Sequence, residues 1–203
     1  MIKILLKIKL FFVILTIGSI LKADPYSLAN ISQYLTNLKF LKADFLQTSA
    51  DGAASSGAIL IKRPGRMRFE YYKPDKTLVL ISSGALAIFD PKGDEEPITY
   101  PIKNNPISLV LTGEVDLLNS GIVENYEKNI EEAVLTIRDP KRPERGSVEL
   151  VFTGAKPELK QFSIKNENGS YTSILLNDIE YPKKINETLF SISLEINKRK
   201  NKD

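Results

Sequence analysis

After Lys42 the apolar residues of this chain fall into an alternating, period-two pattern. The pattern persists in short runs almost to the end. Few features limit a fold more, because side chains that alternate along many short segments must be strands with one face buried and one face wetter. The runs fall at residues 44–48, 57–63, 67–72, 77–82, 86–90 and 98–101, then at 122–126, 133–138, 147–152, 159–166, 171–176 and 189–195. Turn residues separate neighbours, and Asn168-Gly169 is a strong hairpin signal. Short sequential strands of this kind form an antiparallel meander, which within one domain curls into a barrel or half-barrel.

The residues before Lys42 follow a different period. Leu28, Ile31, Leu35 and Leu38 recur at spacings of three and four, the stripe of an amphipathic helix, with Asp24-Pro25 as its start. Residues 104–118, NNPISLVLTGEVDLL, also break the alternation. Asn105 can cap, Pro106 suits a first helical position, and Ile107, Val110 and Leu111 then share a face. A buried strand over residues 107–111 is the competing reading. The expected architecture is therefore mainly β with helices (α+β): a curved antiparallel sheet, an incomplete barrel, with both helices laid over its concave face as an apolar lid.

Residues 1–23 stand apart. Lys3, Lys7 and Lys9 precede the apolar run of residues 10–21, and small Ala23 comes just before Asp24, the pattern of a secretory signal peptide. The run is shorter than the roughly 20 residues a membrane span needs. Residues 24–203 are then a single domain, long enough to bury its own core. Of the 28 cations, four lie in residues 1–23, and the remaining 24 face 25 acids for a net charge of −1. That charge gives no reason to expect nucleic acid as a partner. The basic cluster Lys198, Arg199, Lys200 and Lys202 reads as a solvated tail.

The chain has no cysteine and no histidine. Disulfides, thiolate chemistry, lipid attachment to an N-terminal cysteine, Ser-His-Asp catalysis and Cys- or His-ligated metals are all excluded. Asp90, Asp94, Glu95 and Glu96 could in principle work as paired carboxylates, but they sit among Pro91, Gly93 and Pro97 in a hairpin loop, where a solvated turn is the simpler reading. No catalytic residue, metal or cofactor is expected.

The most informative stretch runs from Ile61 to Asp75, IKRPGRMRFEYYKPD. Alternation puts Ile59, Ile61 and Arg63 on one face and, after the Pro64-Gly65 turn, Met67, Phe69 and Tyr71 on the same side. Lys62, Arg66 and Arg68 would then stay in water. Arg63 would lie at the interior, where a guanidinium is costly unless bonded. Its partners could be carbonyls or carboxylates, and the bonding could be purely structural.

GAILIKRPGRMRFEYYKPDKTLVLISSG, residues 57–84, resembles the signature of the periplasmic outer-membrane lipoprotein carriers, the LolA family. FDPKGDEE at 89–96, NNPISLVLTG at 104–113, LTIRDP at 135–140, NGSYTSILLNDI at 168–179 and LFSI at 189–192 follow in the same order. The resemblance implies a half-barrel closed by helices over an apolar cavity. It implies a non-enzymatic, monomeric periplasmic chaperone that takes acylated lipoproteins from an inner-membrane ABC transporter and delivers them to an outer-membrane receptor. It also implies that Arg63 latches the lid, bonding lid carbonyls in the empty state and letting go when acyl chains enter. Ile59, Ile61, Met67, Phe69 and Tyr71 would face the acyl chains, with Met67 and Phe69 at the family's bulky apolar positions. Leu28, Ile31, Leu35, Leu38, Ile107, Val110 and Leu111 would line the lid. The chain has no tryptophan, so Phe69 stands where relatives use an indole. The receptor of that pathway shares the fold but is anchored through a cysteine, which this chain lacks. A periplasmic sensor, or a module for another apolar ligand on the same cup, is the alternative.

Overall fold

The computed structural model describes residues 24–91, 96–166 and 168–201. The signal-peptide reading falls on residues 1–23 and lies outside the described residues, as do Asp94, Glu95 and Lys202. No helix among the described residues is long and apolar enough to cross a membrane.

The chain begins with helix α1 (Leu28–Asn37). Six strands follow: β1 (Phe40–Ser49), β2 (Ala54–Lys62), β3 (Arg66–Tyr71), β4 (Leu78–Ser82), β5 (Ala85–Phe89) and β6 (Ile98–Pro101). After the 102–118 segment come β7 (Val123–Lys128), β8 (Glu132–Arg138), β9 (Gly146–Thr153), β10 (Glu158–Asn166) and β11 (Tyr171–Glu180), and then helix α2 (Ile192–Lys200). All strands belong to one antiparallel sheet of order β6-β5-β4-β3-β2-β1-β11-β10-β9-β8-β7. The meander is interrupted only where β1 pairs with β11, so that first and last strands meet in the middle. β6 and β7 are unpaired edges, and the barrel is incomplete.

The concave face carries the main core. Leu41, Phe45, Ile59, Ile61, Met67, Phe69, Leu135, Leu150, Phe152 and Phe162 are all buried there, with Ile31, Leu35 and Leu38 of α1 packed against them. Ser27, rather than Asp24, caps α1: its hydroxyl accepts from Asn30 N–H, while the Asp24 carboxylate accepts from Tyr26 N–H at 3.0 Å and makes a turn ahead of the helix. Tyr26 fixes that end, its hydroxyl lying 2.6 Å from the Glu131 carbonyl and 2.8 Å from that of Gly154.

Two of the expected elements need correction. Residues 104–118 are not one helix and not a strand: they form 3₁₀ turns at Ile102–Asn104 and Pro106–Leu109 and continue as an irregular covering segment. Asn105 does cap the second turn, accepting from Ile107 N–H. The expected last strand, residues 189–195, is instead a 3₁₀ turn (Glu187–Phe190) running into α2, because Ser191 accepts from Leu194 N–H and caps a helix.

That helix does not join the lid. α2 lies on the convex face, where Ile192 and Ile196 pack on Leu78, Leu80, Ala87 and Phe89. Arg199 is accordingly no free tail residue: its guanidinium stacks 4.8 Å from the Phe89 ring and pairs with Glu195 at 3.2 Å. The same cover changes the fate of the outward cations. Arg68 is buried, bonded to Glu70 and, at 2.8 Å, to the Leu189 carbonyl, and Lys62 pairs with Glu187.

Candidate functional site

The five residues read from alternation as facing the cup do share one face, and they meet across two strands. Ile59 lies opposite Phe69, Ile61 opposite Met67, and Gly57 opposite Tyr71 in the β2–β3 register. Ile59, Ile61, Met67 and Phe69 are buried. Tyr71 is half-buried, edge-on to Phe45 at 5.1 Å, with its hydroxyl donating to Gln47 at 2.6 Å. Burial pushes the Tyr71 pKa up to about 12. Gly57 makes room for this cluster, since a Cβ there would come within 2.1 Å of the Glu70 carbonyl and 2.8 Å of the Phe45 ring.

Above this face lie α1 and the covering segment. Of the residues expected in the lid, Ile31, Leu35, Leu38, Ile107 and Leu111 are buried against the sheet, and Leu28 and Val110 are partly buried beside them. Sequence periodicity did not single out the other contributors to this interface. Leu150, Leu159 and Phe162, from the far half of the sheet, complete the floor. They lie in strands that were recognised, but alternation within a strand does not say which face is concave until the strands are paired.

Polar ties hold the cover. Ser32 donates to the Val115 carbonyl and accepts from Leu117 N–H at 3.1 Å, while Thr36, one turn along, accepts from Val115 N–H at 3.3 Å. Gly65 N–H donates to the Leu111 carbonyl at 2.8 Å. The signal for Ser32 and Thr36 was available, as hydroxyls four apart beside an apolar helical stripe.

Arg63 makes a further tie. It follows directly on β2, is only 6% exposed, and donates through Nη2 to the Thr112 carbonyl of the covering segment. Nε and Nη1 are buried with no hydrogen-bond partner among the described residues. Burial pulls the pKa of the group down to about 10, a small gain from nearby Tyr34 notwithstanding, so it is still charged at neutral pH.

Among the described residues the structure does not show the roomy interior that the resemblance implies. Between the cover and the sheet a cavity of about 30 Å³ remains, lined by Leu35, Ile61, Arg63, Met67, Leu111 and Phe162 among others. That is room for a few water molecules and far less than an acyl chain. The stripe of α1 and Leu111 fill the rest. Of the acids considered for catalysis, Asp90 offers its backbone carbonyl to Arg199, and Glu96 pairs with Lys200 at 2.7 Å.

The fold is thus an incomplete antiparallel barrel whose apolar concave face lies under a helix and a covering segment joined to it by polar contacts. The family follows from the sequence: residues 36–193 match the model of the outer membrane lipoprotein carrier protein LolA, and the chain belongs to that family. It is similar to an outer-membrane lipoprotein carrier protein of Methylococcus capsulatus, 24% identical over 183 residues that span 85% of this chain and 86% of that one. One from Coxiella burnetii is 30% identical over 108 residues, 49% of this chain and 51% of that protein. A crystal structure of a LolA superfamily protein from Nitrosomonas europaea superposes with a TM-score of 0.44 at 10% identity, covering 82% of this chain and 98% of that chain.

Proposed function

We propose that this protein is a periplasmic, non-enzymatic lipoprotein carrier. It binds the acyl chains of lipoproteins released by an inner-membrane ABC transporter and passes them to an outer-membrane receptor. The observation that carries this reading is the closure itself, an extensive apolar face covered by a segment whose polar ties are few and whose latch is a buried, under-bonded cation.

The physics of the cargo explains why such a device is needed. Each methylene withheld from water is worth about 0.8 kcal/mol, so one long chain represents on the order of 10 kcal/mol. Unassisted transfer between membranes is correspondingly slow. A carrier must nevertheless let go, and a lid that gains free energy by closing on the empty site lowers the apparent affinity by that amount. On this reading the closed, empty state is the one in which the apolar residues of α1 and the covering segment pack against those of the sheet. Loading replaces those lid contacts with acyl chains, and unloading restores them. Arg63 is the latch in this cycle, and Ile59, Ile61, Met67, Phe69 and Tyr71 are the surface that the chains replace the lid on.

The test is release from membranes. Spheroplasts or proteoliposomes holding the transporter and a triacylated lipoprotein are incubated with the purified protein, and the soluble fraction is sized. A soluble complex of protein and lipoprotein is expected. Lipoprotein that stays in the membrane at every concentration of added protein would refute the reading.

A further inference from the structure

The unpartnered edge of Arg63 raises a problem that opening the lid makes worse. With the lid down, the guanidinium has one carbonyl, that of Thr112, while Nε and Nη1 are buried without an acceptor among the described residues, and the side chain lines the small apolar cavity. The rest of the lining consists of aliphatic and aromatic side chains, Leu35, Ile61, Met67, Leu111, Leu150 and Phe162 among them. If the lid rises, Thr112 goes with it. Replacing that carbonyl by methylenes alone would leave a buried charge with no partner, which is strongly unfavourable. The loaded state must therefore bring acceptors of its own to this spot.

We infer that the free edge of the Arg63 guanidinium is a binding site for the ester carbonyl oxygens of the cargo's diacylglyceryl group. This rests on the carrier reading and adds to it a chemical preference. The acyl chains fill apolar space, and the planar fork of donors reads the polar junction at which those chains are joined. Arg63 is then never left bare: it exchanges a lid carbonyl for cargo carbonyls. The latch is released by an acceptor as well as by displacement. A hydrocarbon tail without a carbonyl at its head opens the lid poorly, because it displaces Thr112 and offers nothing in return. Arginine suits this role better than lysine, since it stays charged through burial and holds several acceptors in one plane. A fatty-acid carboxylate is the competing occupant, because it also presents oxygens and carries the complementary charge.

Two synthetic lipopeptides decide the matter, an N-acyl-S-diacylglyceryl cysteinyl peptide and its ether-linked counterpart, in which the glyceryl carbonyls are replaced by methylenes. Binding of each to the wild-type protein and to Arg63→Leu is measured by titration calorimetry, with palmitate as a competitor. The wild type is expected to prefer the ester by at least about tenfold, equivalent to about 1.4 kcal/mol. Arg63→Leu is expected to bind both alike, and Arg63→Lys to keep part of the preference. Equal binding of both lipopeptides by the wild type overturns the ester assignment and leaves the carrier reading standing. A preference that survives in Arg63→Leu overturns it too, since the carbonyls are then read elsewhere. Palmitate that displaces an ester-indifferent ligand from the wild type but not from Arg63→Leu reassigns the site to carboxylates. If neither lipopeptide binds at all, the carrier reading falls and this inference falls with it.

Discussion

The Ser32 hydroxyl donates to the Val115 carbonyl, and the same oxygen accepts the Leu117 N–H at 3.1 Å, so a single side chain of α1 joins the helix to two points of the covering segment. Removing it should loosen the cover without disturbing the sheet, because Ile31 and Leu35 hold α1 down independently. In Ser32→Ala the amide of Leu117 is expected to exchange with solvent about fivefold to tenfold faster, the effect of losing about 1 kcal/mol of hydrogen bonding. Hydrogen exchange followed by mass spectrometry or NMR checks this, and unchanged protection at Leu117 would show that the cover is held by packing alone.

Arg63→Leu should separate function from stability. Losing the bond to Thr112 costs something, but relieving a buried, incompletely bonded charge offsets it, so the melting temperature is expected to stay level or rise. Transfer of cargo to the receptor is expected to fall, because an apolar lining without a latch favours retention. Since burial holds the folded pKa at about 10, below the ordinary 12.5, the charged guanidinium weakens the folded state at neutral pH, and this penalty is relieved only as the pH rises through 10. The stability difference between variant and wild type should therefore be flat across neutral pH. A large loss of stability with unchanged transfer would leave Arg63 only a structural role.

Met67 lies at the centre of the site, 1% exposed and opposite Ile61. Met67→Glu is expected to abolish lipoprotein acceptance and also to lower stability by several kcal/mol, since the closed state buries the new carboxylate among aliphatic side chains. Met67→Ala tests the packing alone and should cost about 2–5 kcal/mol in chemical denaturation. Normal acceptance by Met67→Glu would mean that cargo lies elsewhere.

Gly57 is required for the approach of β3 and Phe45. Gly57→Ala puts a methyl group 2.1 Å from the Glu70 carbonyl, a backbone atom that cannot step aside. A loss of about 2 kcal/mol or more is expected from the denaturation midpoint. A smaller cost would mean that β2 and β3 can part at this point.

The convex face should be separable from the concave one. Ile196→Ala weakens the packing of α2 on Leu80 and Phe89 and is expected to cost about 1–2 kcal/mol while cargo acceptance at saturating protein is unchanged. Impaired acceptance in a folded variant would show that the two faces are coupled.

Much of this molecule is written in its periodicity. The strands and the β2–β3 face, with Ile59, Ile61, Met67, Phe69 and Tyr71 on one side, follow from side chains that alternate in an extended backbone. The α1 stripe follows from a different period. The C-terminal helix was not legible because LFSISLEI alternates as a strand does, and only the Ser191 cap and the docking of Ile192 and Ile196 on a convex face decide otherwise. For the same reason Arg68, solvent-facing by alternation, is buried: the face is polar in the sequence but covered by Leu189 and its neighbours from far along the chain. Arg63 was placed inside by its position in the pattern, yet its partner could not be read, because a backbone carbonyl leaves no mark on a sequence. The extent of closure was equally hidden, since it depends on how large side chains from both halves of the sheet fit together.

The most direct test is to locate the acyl chain. A triacylated lipopeptide spin-labelled near one acyl terminus is added to protein with labelled methyl groups, and the paramagnetic broadening of each methyl resonance is measured. Broadening centred on Ile61, Met67, Leu111 and Leu150, the residues now pressed together beneath the lid, is the expected result. Broadening confined to the outer groove beside Asn37, Ala155 and Tyr181, with those four methyls sharp, would contradict a lid that opens to admit the chains.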